Sequence, residues 1–131
     1  MSRFPRVVTI SRTIAAPPES VWEVLVDLEA WPKWGPTVRR AELIDAERLA
    51  LGTTGTVWTA LGVALPFTIS EFEEGRHWAW RVAGVSATSH DVRPAPAGST
   101  LRFGVPWYAP AYLAVCDIAL RRIDDMVSAE R

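Results

Sequence analysis

Ile14-Ala-Ala-Pro-Pro-Glu-Ser-Val-Trp-Glu-Val-Leu-Val-Asp-Leu-Glu-Ala-Trp-Pro-Lys-Trp-Gly-Pro36 holds four prolines and three of the chain's seven tryptophans. From Glu19 to Trp31 it contains neither Pro nor Gly. Pro18 pre-sets a first helical turn, and Glu19 there complements the helix dipole. Val21, Trp22, Leu25 and Leu28 recur at helical spacing, with Val24 and Val26 widening the stripe. Glu19, Glu23 and Asp27 fall on the other face. The pattern predicts an amphipathic helix of about three turns that Pro32 stops. Trp31 and Trp34 then occupy a second, very short turn closed by Gly35-Pro36. Three large rings around a punctuated helix need something large to pack against.

The flanking segments supply it. Arg6 to Ile14 is rich in β-branched residues and reads as a strand. After Pro36 the chain is extended: Thr37–Ile44, Thr53–Ala60, Leu65–Phe72, His77–Val82, Ser86–Val92 and Thr100–Trp107 read as strands. Leu61–Ala64, Glu73–Arg76 and the neighbourhood of Gly84 read as turns; Asp45–Gly52 and Arg93–Ser99 read as loops. From about Ala109 to Ala129, Tyr112, Cys116, Ala119, Leu120, Ile123 and Val127 step by three and four. Asp117, Arg121 and Asp125 place opposite charges at i,i+4 on the far side. Such a helix is roughly 30 Å long, enough to lie across a sheet. Strands in series with helices on one side predict an α+β domain, here one domain over residues 1–131.

Pairing Phe72 with His77 across the Glu73–Arg76 turn sets a register. Phe67, Ile69, Trp78, Trp80 and Val82 then share one face, and Thr68, Ser70, His77, Ala79 and Arg81 the other. Two residues fit badly: Glu71 falls on the apolar face and Phe72 on the polar one. By alternation Leu101, Phe103, Val105 and Trp107 share a face on the last strand. One helix about 10 Å wide cannot cover a curved seven-stranded sheet. Either the rings collapse into a solid core, or a cavity remains.

Composition removes several classes. The formal net charge is −1, and the 13 arginines among the 14 basic residues are scattered. No basic stripe accompanies the aromatics, which argues against nucleic acid or an anionic surface as a general partner. A single cysteine, Cys116, excludes an internal disulfide. The N-terminal residues lack the apolar run of a signal peptide, and Val57–Phe67 is too short to span a bilayer. The expectation is a cytoplasmic protein without an integral membrane segment. His77, His90 and Cys116 have no ligand spacing, so neither a metal nor another cofactor is expected.

Ile14, Ala16, Pro17, Val21, Trp22, Leu25, Asp27, Trp31, Pro32 and Trp34 form a pattern that resembles the N-terminal signature of the SRPBCC superfamily. This group includes START, birch-pollen-allergen-like and polyketide cyclase/dehydrase-like proteins. The Gly98-Ser-Thr-Leu hairpin and the long C-terminal helix resemble it as well. The resemblance implies a helix-grip fold: a curved seven-stranded antiparallel sheet around the C-terminal helix, with two short helices after strand one. It also implies an apolar ligand held between sheet and helix, lipid-, polyketide- or aromatic-like. Phe67, Ile69, Trp78, Trp80, Phe103, Trp107, Tyr112 and Cys116 are the expected lining.

A cyclase or dehydratase would need polar groups converging inside that cavity. His90, Tyr108 and Tyr112 are the candidates, since His exchanges protons near neutral pH and Tyr can donate to an oxyanion. His90 points inward in one register of the Val82–Ser86 turn and outward in another. Cys116 reads as a small buried hydrophobe rather than a nucleophile. Glu73-Glu74 and Asp124-Asp125 read as solvated surface. The remaining alternative is a protein-interaction module with a filled core. The chain is compatible with a monomer or a homodimer.

Overall fold

A computed structural model describes residues 8–129. The elements run β1 (Val8–Ile14), α1 (Pro18–Val26), α2 (Trp31–Trp34), β2 (Val38–Ile44), β3 (Thr54–Thr59), β4 (Ala64–Glu73), β5 (His77–Val82), β6 (Val85–Ala95) and β7 (Gly98–Val105). A 3₁₀ turn (Pro110–Tyr112) leads into α3 (Leu113–Ala129). All seven strands join one antiparallel sheet in the order β1-β7-β6-β5-β4-β3-β2. Cys116, Ala119, Leu120, Ile123 and Val127 are the buried stripe of α3, as their spacing requires. Arg12 Nε donates to Asp124 Oδ2 at 2.7 Å and fastens α3 to β1. This is the helix-grip α+β architecture.

Several boundaries differ from the sequence reading. Arg6 and Val7 lie outside the described residues. Helix α1 ends at Val26, six residues before Pro32, because Asp27 is extended (φ −88°, ψ 106°). Pro32 instead sits in the first turn of α2, where its missing N–H costs nothing. The expected loop Arg93–Ser99 is mostly strand: Pro94 pairs with Ser99 and Ala95 with Gly98, leaving Pro96-Ala97 as the turn. Strand β7 ends at Val105 rather than Trp107.

The tryptophans of the opening stretch now have their partners. Helix α1 ends with no basic residue in its last turn, and its final carbonyls need donors. Trp31 Nε1 donates to Leu25 O at 2.9 Å, Trp34 Nε1 to Val24 O at 3.2 Å, and Trp78 Nε1 to Leu25 O at 3.2 Å. The same indoles fill the sheet's concave face. Trp31 stacks on Trp78 (ring centroids 5.0 Å apart, 12° between planes), meets Trp80 edge-on and packs at a tilt on Phe67. Trp22 packs on Phe72 and donates to Glu74 Oε2.

Phe72 reaches that face through a β-bulge. The register Phe67↔Val82 and Ile69↔Trp80 holds, then shifts by one, so that Phe72 pairs with Trp78 and Glu71 with Ala79. Both misfits of the sequence register are corrected at once: Phe72 turns inward and Glu71 outward.

Glu71 then serves the convex face. Its Oε1 lies 2.8 Å from His77 Nε2, and His77 Nδ1 lies 3.6 Å from Asp91 Oδ1. Asp91 also accepts from Arg93 Nε at 3.0 Å. The Asp91 hydrogen bond raises the His77 pKa above the ordinary 6.5; burial opposes this, and Glu71 adds to it. Burial works to raise the Asp91 pKa, but the His77 and Arg93 hydrogen bonds outweigh it and bring it below 3.8. The signs follow from linkage. His77 contributes stability that is complete below pH 6.5 and is lost as pH rises through its raised folded value. Asp91 contributes stability that is lost as pH falls through its depressed one. Urea midpoints of the wild type should therefore decline on the alkaline side of pH 6.5, and His77→Gln should remove that decline.

Candidate functional site

Two neighbouring spaces open on the inner face of the sheet, a deep one against α3 and an outer one against the β7–α3 loop. The deep one is only about 40 Å3 and is walled by Trp31, Trp34, Trp78, His90, Phe103 and Cys116 among others. The outer one is a groove of about 590 Å3, opening where the β3–β4 turn, the β5–β6 turn and the β7–α3 loop meet. Val57, Leu65, Val82, Ala87 and Pro106 line it, and among the described residues no charged side chain does. Thr37, Val38, Trp80, Thr88 and Tyr112 line both spaces and form the wall they share.

Register decides the orientation of His90. It pairs with Trp78 on one side and Phe103 on the other, so it faces inward. Its ring stacks on Trp78 at 3.9 Å and meets the Phe103 ring edge-on at 4.6 Å. A carbonyl can only accept, so His90 Nδ1–H donates to Trp78 O at 3.1 Å. Nε2 then accepts from Thr88 Oγ1–H at 3.0 Å, and Thr88 Oγ1 accepts from Trp80 Nε1–H at 3.0 Å. This chain runs from the groove floor at Trp80 to the buried imidazole, and in the neutral ring it selects the Nδ1–H tautomer.

The other predicted residues separate. Trp78, Trp80, Phe103, Tyr112 and Cys116 line the cavities, but Phe67 and Ile69 do not. Those two are fully buried core, Phe67 beneath the rings of Trp31 and Trp80. Trp107 lies beyond the end of β7, is 63% exposed, and packs only edge-on to Tyr108 among the described rings. It is not part of the lining. Pro106 ends the alternation that had placed it inward.

Tyr108 lines the outer groove with its hydroxyl turned back to Ser86 O at 2.5 Å. Tyr112 shares a hydrogen bond of 2.7 Å with Thr37 on the wall common to both spaces, and burial raises its pKa. Burial likewise pushes the Cys116 thiol up to about 11, so it is a thiol at neutral pH and not a nucleophile. Sequence reasoning missed Thr37, Leu65, Val82, Ala87 and Thr88. Thr88 had a signal, since it stands two residues from His90 on the same strand face.

A wider open groove, about 1020 Å3, lies at the other end of the sheet between α1, β2 and the β4–β5 turn. Glu19, Glu23, Asp27, Glu29, Glu42, Glu47 and Glu74 line it against a single cation, Arg48. Its carboxylates make it a poor host for an apolar molecule. Among the described residues no group of three or more His, Cys, Asp or Glu is placed to hold a metal ion. No helix among them is long and apolar enough to cross a membrane.

A curved sheet closed by one long helix defines the helix-grip class. Residues 5–125 match the polyketide cyclase / dehydrase and lipid transport family, and the chain belongs to it. An uncharacterized protein of Mycobacterium tuberculosis and one of Mycobacterium bovis are each 29% identical over 96 residues. That match covers 67% of this chain and 57% of each of those proteins, so the chain spans little more than half their length. Among solved structures, protein MLL2253 from Mesorhizobium loti is similar with a TM-score of 0.76, at 14% identity over 95% of this chain and 98% of that one. Protein XoxI from Bacillus cereus is similar with a TM-score of 0.69, at 14% identity over 92% and 94%. At those identities the likeness is one of fold.

Proposed function

We propose that this domain is a carrier or receptor for a small hydrophobic molecule, lipid-, polyketide- or aromatic-like, bound in the outer groove. The observation that carries this is the uncharged lining of a space of about 590 Å3, a volume typical of small-molecule sites. The apolar body of the ligand lies against Leu65, Val82 and the Trp80 ring. A polar end faces the hydroxyls of Thr37, Tyr112 and Thr88, the few orienting groups on the wall shared with the deep space.

A cyclase or dehydratase is the second reading, favoured by the inward position of His90 beside Thr88. Both ring nitrogens are already engaged by protein, which suits an imidazole that orients the wall better than one that shuttles protons.

The test is native mass spectrometry of gently purified protein, with extraction of anything bound, followed by titration with the apolar dye 1-anilinonaphthalene-8-sulfonate. Trp80→Ala should weaken dye binding at least about tenfold, because one large ring face contributes more than 1.4 kcal/mol. Arg121→Gln, which removes only the exposed Asp117 pair, should leave it unchanged. Equal affinities in folded Trp80→Ala and wild type would remove the groove from consideration.

A further inference from the structure

We infer that the end of the molecule carrying the groove mouth is a docking face for an anionic lipid bilayer. Five large apolar side chains project there: Leu61 is 90% exposed, Trp107 63%, Val85 55%, Val63 52% and Tyr108 48%. They come from three separate segments that the fold gathers at one end of the sheet. Leu61, Val63 and Tyr108 line the mouth itself. Trp107 packs on Tyr108, and the Tyr108 hydroxyl ties that loop to Ser86, next to Val85.

The charge distribution points the same way. Residues 49–70, 82–89 and 105–116, which carry these tips, contain no Asp, Glu, Lys, Arg or His. Seven of the chain's 15 acidic residues line the groove at the opposite end. Beside the tips stand cations: the Arg39 side chain lies against Gly62 of the β3–β4 turn, and Arg40 covers the Trp58 ring at 4.4 Å while pairing with Glu42. Exposed apolar surface on this scale marks an interaction site. An uncharged tip with an adjacent Trp-Tyr pair, flanked by Arg, has the composition of a segment that settles at the bilayer interface. A carboxylate-rich end facing away is also the orientation an anionic surface imposes. Docked this way, the groove opens directly onto the acyl chains, and an apolar molecule could pass between lipid and protein without crossing water.

The inference goes beyond the ligand-binding proposal and is tested apart from it. The full chain is floated with vesicles of about one part phosphatidylglycerol to three parts phosphatidylcholine. Wild type should float with the vesicles. Val85→Asp/Trp107→Asp, at two positions outside the groove lining, should lose at least about tenfold in partitioning, since two apolar side chains then leave the interface. Both positions are exposed, so circular dichroism, the urea midpoint and dye titration of the groove should be unchanged. Wild type that stays with the buffer overturns the inference, as does vesicle binding that the double variant retains. Self-association of wild type in sedimentation velocity that the double variant abolishes, with no vesicle binding, assigns the face to a second copy of the chain and also overturns it.

Discussion

Trp31→Ala is expected to lower the unfolding free energy by about 3–5 kcal/mol. A domain of this kind has about 5–15 kcal/mol in total, so this variant retains little margin. The ring is almost completely buried and is held by three aromatic neighbours, Phe67, Trp78 and Trp80. Alanine removes those contacts and leaves a void joined to the small deep cavity that Trp31 walls. It also removes one donor to Leu25 O, although Trp78 still donates there. The void is therefore the larger part of the loss. Urea denaturation followed by circular dichroism measures the cost. Added indole should raise the midpoint of Trp31→Ala and leave wild type unmoved, because a dry apolar cavity of that shape accepts the missing ring. A midpoint insensitive to indole would mean that neighbouring rings collapse into the space.

Gly98→Ala is expected to cost about 3 kcal/mol or more. Gly98 has φ +139°, and a Cβ there would lie 2.5 Å from Ile14 O, 2.6 Å from Ala16 N and 2.8 Å from Ala16 O. All three are backbone atoms, so no side chain can swing aside. The neighbouring Ser99 hydroxyl donates to Ala16 O at 2.6 Å. Together Gly98 and Ser99 hold the turn between β1 and α1 against the start of β7. Gly75 separates the two sources of strain, since it also has positive φ (+81°) but nothing within 4 Å of an added Cβ. Gly75→Ala should cost only the conformational part, about 1–2 kcal/mol. Comparable midpoints for the two variants would show that the β1–α1 turn yields without loss.

The fold was legible because its punctuation is local. Pro17-Pro18, Pro32 and Gly35-Pro36 mark corners whatever surrounds them, and the α3 stripe from Cys116 to Val127 declares its buried face by spacing alone. The site was less legible because its lining depends on register. One extra residue between Ile69 and Glu71 reverses everything after it on β4, and an inserted residue carries no compositional mark. Its trace was the adjacent misfit of Glu71 and Phe72, two residues wrong in opposite senses. Phe67 and Ile69 were read as pocket because nothing in their own strand announces that Trp31 arrives from a different element to cover them. Trp107 was read as inward because alternation was carried through Pro106. Thr37 and Ala87 give no signal until the chain is folded.

The tryptophan stack has an optical consequence. Trp31, Trp78 and Trp80 have centroids 5.0 to 5.6 Å apart, close enough for excitation absorbed by one indole to migrate among all three. Trp80 alone of the three also lines the outer groove. An absorbing or quenching molecule seated there would drain the whole group through that single ring, so the emission lost on binding should exceed the share of one tryptophan in seven.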